Sequence, residues 1–296
     1  MVMKEVGKPL IFILSVILSV SCTTQRINQF RTFSTAGKAY TDAMTDLLKE
    51  AGEIAIDADN EYLSNNHEKF PKEKRQDTYL GNTGDLREFL KILNDFRMHT
   101  QLLGNYFSTL ALLAESKSGQ SIGDKTSGIV AELQKIHPSV EKARIGDASV
   151  KEFLGESVPF VVNQFRKNAL ENELRENGKI ISGELDLQVA LVAALSAGIK
   201  NDLEVYTNRF ETGSVARPYV EDPKLPASWK KDRKSVLILS SAETSVAKAE
   251  SAAKELKKAF ASLAENKFHA SDISLLLSDI NELIDFVELI RSNKPN

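Results

Sequence analysis

Apolar residues recur along this chain at intervals of three and four, and no segment alternates apolar and polar residues for long enough to predict a β-strand. A first helix is predicted over about residues 28–62. Its apolar positions are Phe33, Ala36, Tyr40, Ala43, Leu47, Ala51, Ile54 and Ala58. This spacing puts one apolar stripe along a rod that would be roughly 50 Å long at about 1.5 Å per residue.

A second helix is predicted to begin at Asp85, because Asp85 and Glu88 have the spacing of an N-terminal capping box. Apolar residues at steps of three and four follow this box. The charged stretch before it contains Pro71, Gly81 and Gly84, so we expect a connector there.

Two further helices are predicted in the middle of the chain. One covers about residues 126–144, where apolar residues keep the helical spacing. A second capping box, formed by Ser149 and Glu152, predicts the start of the other. Gly155 and Pro159 are expected to interrupt this helix, which resumes at Phe160 and is expected to end at Asn177 and Gly178.

Residues 180–210 are predicted to form a central helix of the fold. The stretch 189–195 is apolar on every face of a helix but is too short to cross a bilayer, so other helices are expected to surround it. After it, residues 213–229 are predicted to be a loop, because three of the eight prolines lie there.

A coiled-coil-like hairpin is predicted in the C-terminal part, because residues 239–263 and residues 273–290 each carry apolar residues at steps of three and four. Alanines recur in the stripe of residues 239–263, so the two helices are expected to pack closely. The predicted fold class is therefore all-α. We expect one bundle of six or seven long, mostly antiparallel helices over residues 28–296, in which the hairpin 229–292 could form a semi-independent unit.

The first 22 residues have the features of a targeting segment. Lys4 and Lys8 precede an apolar run over residues 10–20, which is too short for a transmembrane helix, and Ser21 and Cys22 follow. This segment resembles the lipobox signal peptide of bacterial lipoproteins, in which a small residue precedes an invariant cysteine. The resemblance covers only these residues.

The resemblance implies that residues 1–21 are removed and that Cys22 is acylated and becomes the new N-terminus. Residues 22–27 would then be a short tether, and the membrane would be a partner through the lipid anchor. Thr23, rather than Asp, follows the cysteine, and no acidic cluster comes after it. Within this class of proteins, both features favour the periplasmic face of the outer membrane.

Composition excludes several classes of function. Cys22 is the single cysteine in 296 residues, so the chain has no internal disulfide framework and no cysteine-based metal cluster. The formal net charge of −3 gives no reason to expect a nucleic-acid partner.

No motif in the sequence predicts catalysis or a cofactor. None of the four histidines has an acidic residue three places before it, the spacing used by metal sites in helical bundles. The four histidines are His67, His99, His137 and His269. His137 and His269 are interpreted as solvent-facing or helix-capping residues. Nucleophile-elbow and phosphate-loop motifs are absent from the sequence as well, so we expect neither an enzyme nor a metal site nor a bound cofactor.

One short stretch, residues 224–234, differs from the rest of this acidic chain because it holds five basic residues against one acidic residue, together with the only tryptophan. We interpret it as a candidate docking patch for a protein partner or for anionic lipid headgroups. Its residues are Lys224, Trp229, Lys230, Lys231, Arg233 and Lys234. The alternative is that Trp229 fixes a helix start to the core while the basic side chains are only solvated.

The sequence therefore favours a lipid-anchored envelope protein that acts as a non-catalytic helical interaction or structural module. A binding protein for a small or apolar ligand held between helices is the alternative, and it would require a cavity. A hydrolytic enzyme is the third and least favoured interpretation.

Overall fold

The computed structural model describes residues 8–115, 120–145, 148–155, 160–161, 169–242 and 246–293. Within these ranges the side chains of residues 8–24, 120, 121, 148, 197, 241, 242, 246 and 270 are not described. Residues 1–7 of the predicted signal peptide and the side chain of Cys22 thus lie outside the described part of the chain.

The all-α prediction is confirmed, and within the described ranges seven helices have 14 residues or more. The helices are α1 (Lys8–Asn66), α2 (Lys72–Glu115), α3 (Gln120–Glu141), α4 (Ala169–Phe210), α5 (Arg217–Glu221), α6 (Trp229–Ala242), α7 (Val246–Ala264) and α8 (Ala270–Asn293). Two-residue strands β1 (Arg144–Ile145) and β2 (Ala148–Ser149) pair in antiparallel fashion. A 3₁₀ turn covers Val150–Phe153 and a π-helical turn covers Glu211–Ala216.

Helix α1 is the axis of the bundle and packs against α2, α4, α7 and α8. Helix α2 runs antiparallel to it, because Phe107 lies beside Gly37 near one end and Leu90 lies beside Gly52 farther along. Helix α4 runs parallel to α1, since it contacts Tyr40 through Gln188 and Ala58 through Arg209.

The C-terminal helices belong to the same core. Helix α8 runs parallel to α1, and helix α7 runs back along both. At the level where α1 and α7 meet, the Phe33 ring lies 5.6 Å from the Phe107 ring, 5.8 Å from the Phe260 ring and 6.4 Å from the Phe268 ring, measured between centroids. One contiguous cluster of buried apolar side chains extends from Phe30 to Ile290 and includes those of α7 and α8.

The predicted start of the second helix is wrong. Helix α2 begins at Lys72, directly after Pro71, and continues through Gly81 and Gly84 to the expected capping box. Each glycine costs only about 1 kcal/mol relative to alanine in a helix, and good helix formers lie on both sides at residues 72–75 and 87–88. The connector is therefore confined to residues 67–71.

The predicted break at Asn177 and Gly178 is also wrong, because α4 is continuous from Ala169 to Phe210. Gly178 serves packing instead. A Cβ atom at this position would lie 2.5 Å from Cε1 of Phe160, so the missing side chain lets the ring approach the helix. The second capping box exists, since the Ser149 N–H lies 3.4 Å from Glu152 Oε2, but it opens only the 3₁₀ turn.

The connections between α3 and α4 and between α4 and α6 differ from the predicted ones. The short β1–β2 pair was not expected, because two residues per strand are too few to show alternation. The predicted loop over residues 213–229 is largely ordered into the π-helical turn and α5, and its irregular part is residues 222–228.

By length and composition alone, one stretch of the described residues, Ala169–Glu221, could cross a membrane. Its most apolar 18-residue window has a mean hydropathy of 1.5, and 59% of that window is buried inside the bundle. The stretch includes the central apolar helix that the sequence predicts.

Candidate functional site

The predicted docking patch lies at the start of α6, and its five basic side chains are exposed. Trp229 is partly buried. Its indole N–H donates a 2.9 Å hydrogen bond to the Val215 carbonyl, and its ring stacks on Tyr219 at a centroid distance of 5.7 Å. The Arg233 guanidinium lies 6.0 Å from the indole centroid. Trp229 thus fixes the start of α6 to the π-helical turn while one part of its ring stays accessible.

Sequence reasoning missed the apolar residues that stand next to this patch. Tyr219 is 67% exposed, Val220 is 79% exposed and Leu225 is 39% exposed. All three come after the π-helical turn, in a segment where prolines interrupt the helical spacing of apolar residues. Apolar residues in such a segment have no helix face to bury them, and this is the signal that could have predicted their exposure. We call these three residues together with the six residues of the patch the distal surface.

The distal surface lies at the C-terminal end of α1. A Cβ on Gly213 would lie 3.9 Å from Oδ1 of Asn65, and the Arg209 guanidinium sits 4.8 Å from the centroid of the Tyr62 ring. Tyr62 lies near this surface, and it is about 55 Å from Gln25 along α1 at about 1.5 Å per residue.

A buried polar network, which sequence reasoning also missed, joins α2, α3 and α4. Nε2 of His99 lies 2.9 Å from Oε2 of Glu184, and Nδ1 of His137 lies 3.0 Å from both carboxylate oxygens of the same residue. His99 and Glu184 are buried, whereas the His137 side chain is 32% exposed. The interpretation of His137 as a capping or solvent-facing residue is therefore wrong.

The network continues through Gln188 to α1. Oε1 of Gln188 lies 3.2 Å from Nδ1 of His99, so both ring nitrogens of this histidine face oxygen atoms. Nε2 of Gln188 donates to Thr100 Oγ1 at 3.3 Å and to the Tyr40 hydroxyl at 3.4 Å. Four helices are thereby connected through polar groups inside the core, where unpaired polar groups would be costly.

Mutual pairing sets the protonation of this network. Burial acts to raise the pKa of Glu184, but the hydrogen bonds from His137 and His99 outweigh it and bring that pKa below its ordinary value. The hydrogen bond to Glu184 raises the pKa of His137, against the opposing effect of burial. Burial also raises the pKa of Tyr40 far above its ordinary value.

Chemically, the network is a buried cluster of acid and base groups that also includes the hydroxyls of Thr100 and Tyr40. His269 is placed as expected, since its backbone N–H donates to Asp272 Oδ2 at 2.9 Å at the start of α8, and His67 is exposed. Among the side chains that the structure describes, no group of three or more His, Cys, Asp or Glu residues is arranged to hold a metal ion.

Two open grooves lie between helices. The larger, which we call the distal groove, has a volume of about 560 Å³ and is formed by α1, α2, α4 and β1. The smaller, of about 450 Å³, lies between α4 and α7 beside Phe160 and Val161. Both volumes fall within the range of roughly 300–1,000 Å³ that is usual for small-ligand sites.

Comparison of the chain with protein-family models, with curated proteins and with solved structures finds no match in any of the three.

Proposed function

We propose that this protein is a lipid-anchored module of the bacterial envelope, held at the periplasmic face of the outer membrane, that performs no reaction and binds an acidic protein partner through its distal surface. The observation that supports the proposal most directly is the position of the distal surface near the end of α1 opposite to Cys22. Trp229 is hydrogen-bonded to Val215 of the π-helical turn, and Gly213 of the same turn lies beside Asn65 at that end of α1.

The geometry of α1 favours a protein over the anchoring membrane as the partner. Helix α1 has no break between Lys8 and Asn66, so the acylated Cys22 would begin the same rod that ends at the distal surface. From Cys22 to Tyr62, about 60 Å of helix separates the two at about 1.5 Å per residue. Charges in salt water interact over only about 8–10 Å, so an upright bundle keeps the basic patch out of reach of the headgroups around its own anchor.

The chemistry of the distal surface fits a protein interface. Tyr219, Val220 and Leu225 are exposed, and Tyr219 stacks on the partly exposed Trp229. Tyrosine, tryptophan and arginine supply much of the binding energy in protein interfaces. The surrounding lysines and Arg233 are exposed, so they would select an acidic partner and speed its association.

The test is site-specific photocrosslinking in the native envelope. A photoreactive residue at Val220 should give one discrete protein adduct. The double charge reversal Lys230→Glu/Lys231→Glu should reduce that adduct at least tenfold. The matched control Lys254→Glu/Lys258→Glu reverses two exposed lysines on α7 and should leave the adduct unchanged. Adducts with lipid only, or an adduct that is indifferent to the charge reversal at residues 230 and 231, would contradict the proposal.

A further inference from the structure

The distal groove is lined by apolar and by acidic side chains. The apolar ones include Leu86 and Phe89 of α2, Ile145 of β1 and Val205 of α4. Gly198 also lines the groove, and a Cβ at this position would lie 2.7 Å from Cγ2 of Ile145 and would push β1 away from α4. The missing side chain of Gly198 therefore allows the close packing of β1 on α4 beside the groove.

Three carboxylates also line the groove. Asp59 of α1 and Asp202 of α4 are partly buried, and Asp85 of α2 stands at the exposed rim. Within the described residues, none of these three carboxylates has an ion-pair partner. Burial raises the pKa of Asp202, against the opposing effect of a hydrogen bond with the neighbouring Asn201 side chain.

Among the described residues that line the groove, the one cation, Arg209, already has partners. Nη1 of Arg209 donates to the Ala58 carbonyl at 3.4 Å, and its guanidinium lies over the Tyr62 ring at 4.8 Å. This arrangement directs the arginine towards the end of α1. The groove therefore combines an aromatic wall with carboxylates that lack a counter-charge.

We propose that the distal groove binds a small organic cation, with its ammonium group between Asp59 and Asp202 and its apolar body against Phe89 and Ile145. A carboxylate pair attracts a cation, and partial burial strengthens that attraction relative to water. Aromatic walls add favourable contact with both the charge and the hydrocarbon of such a ligand. An anionic or purely apolar ligand would instead leave the carboxylates desolvated and unpaired. This site is independent of docking at the distal surface.

Isothermal titration calorimetry on the full-length protein in non-ionic detergent tests the site with three organic cations, namely protonated 2-phenylethylamine, choline and protonated spermidine. At least one should bind saturably. For 2-phenylethylamine the matched neutral probe is 2-phenylethanol, which has nearly the same shape without the charge and should bind at least tenfold more weakly. If none of the three cations binds, or if the alcohol binds as well as its amine, the proposal is overturned.

Variants locate the binding. Asp202→Asn should weaken binding of the amine at least tenfold, and Asp59→Asn should do the same independently, so the test survives if one of these variants folds poorly. Asp186→Asn is the control, because Asp186 lies on α4 in the smaller groove, paired with Lys257, and should leave affinity unchanged. Equal loss in the control, or no loss in either groove variant while thermal unfolding stays cooperative, would overturn the assignment.

Discussion

At the scale of single residues, Glu184 is the clearest departure from an apolar core, because one carboxylate lies within 3.0 Å of two imidazoles. The residues are far apart in the chain, each in a different helix, so no local spacing could predict their meeting. A weaker signal was present. Glu184 and Gln188 lie four residues apart in a helix that is otherwise strongly apolar, and His99 adjoins an apolar stripe.

The pairing predicts how stability depends on pH. The pKa of His137 is raised above 6.5 in the folded protein. Its contribution to the free energy of unfolding is therefore complete below about pH 6.5 and is lost as the pH rises through the pKa of the folded state. The pKa of Glu184 is lowered below 4.5 in the folded protein. Its contribution to the free energy of unfolding is therefore present above about pH 4.5 and is lost as the pH falls through the pKa of the folded state.

Urea unfolding from pH 3 to pH 9 therefore should show the largest difference between the wild type and His137→Gln at about pH 4.5–6.5, with a smaller difference at higher pH. His269→Gln is the control, since His269 is exposed at the start of α8. A difference that grows steadily above pH 7 would have the wrong sign for this account.

At the scale of elements, glycines explain where sequence and structure disagree. Gly81 and Gly84 look like breakers, yet nothing lies within 4 Å of a Cβ built on either one. Gly178 is a close-packing site within a continuous helix. The apolar stripes of α1, α2 and the C-terminal hairpin were predictable because helical period alone sets them, whereas a glycine's role depends on what another element brings to it.

Two glycine substitutions should have opposite effects on stability. Gly81→Ala should increase the free energy of unfolding by about 0.5–1 kcal/mol, because it removes backbone freedom at an open helical position. Gly37→Ala should decrease it, because the added Cβ would lie 2.8 Å from the buried Phe107 ring. Chemical denaturation of both variants decides the point, and two effects of the same sign would contradict it.

The alanine seam of α7 should be intolerant of larger side chains. Ala249, Ala252 and Ala253 are buried where α7 meets its neighbours, so Ala249→Leu should cost about 1–3 kcal/mol by overpacking. Lys254→Ala, on the exposed side of the same helix, should change stability by less than about 0.5 kcal/mol. Equal unfolding midpoints for the two variants would show that these alanines are not packed against the core.

At the scale of the whole molecule, the proposed function depends on the two ends of α1 having different roles. The all-α bundle was predictable from periodicity, and the basic patch was predictable from composition. The apolar half of the distal surface, the buried network and the distal groove were not, because each arises from how separate helices are placed side by side.

Acylation should depend on Cys22 alone. Mass spectrometry of the envelope-extracted protein should find the wild type beginning at a lipid-modified Cys22, whereas Cys22→Ala should remain an unmodified precursor. Ser21→Ala keeps a small residue before the cysteine and should be processed like the wild type. Identical masses for the wild type and Cys22→Ala would show that no lipid is attached at this residue.

The most direct test of the account measures how far the distal surface stands from the membrane. Because Cys22 is the only cysteine and is expected to be acylated, Val220→Cys and Gln25→Cys would each supply a single free thiol for a fluorescent donor. Energy transfer to an acceptor-labelled lipid is then compared in vesicles that carry the anchored protein. The account predicts strong transfer from residue 25 and weak transfer from residue 220, consistent with a separation of about 55 Å along α1. Equally strong transfer from both positions would place the distal surface on the bilayer and contradict the proposed function.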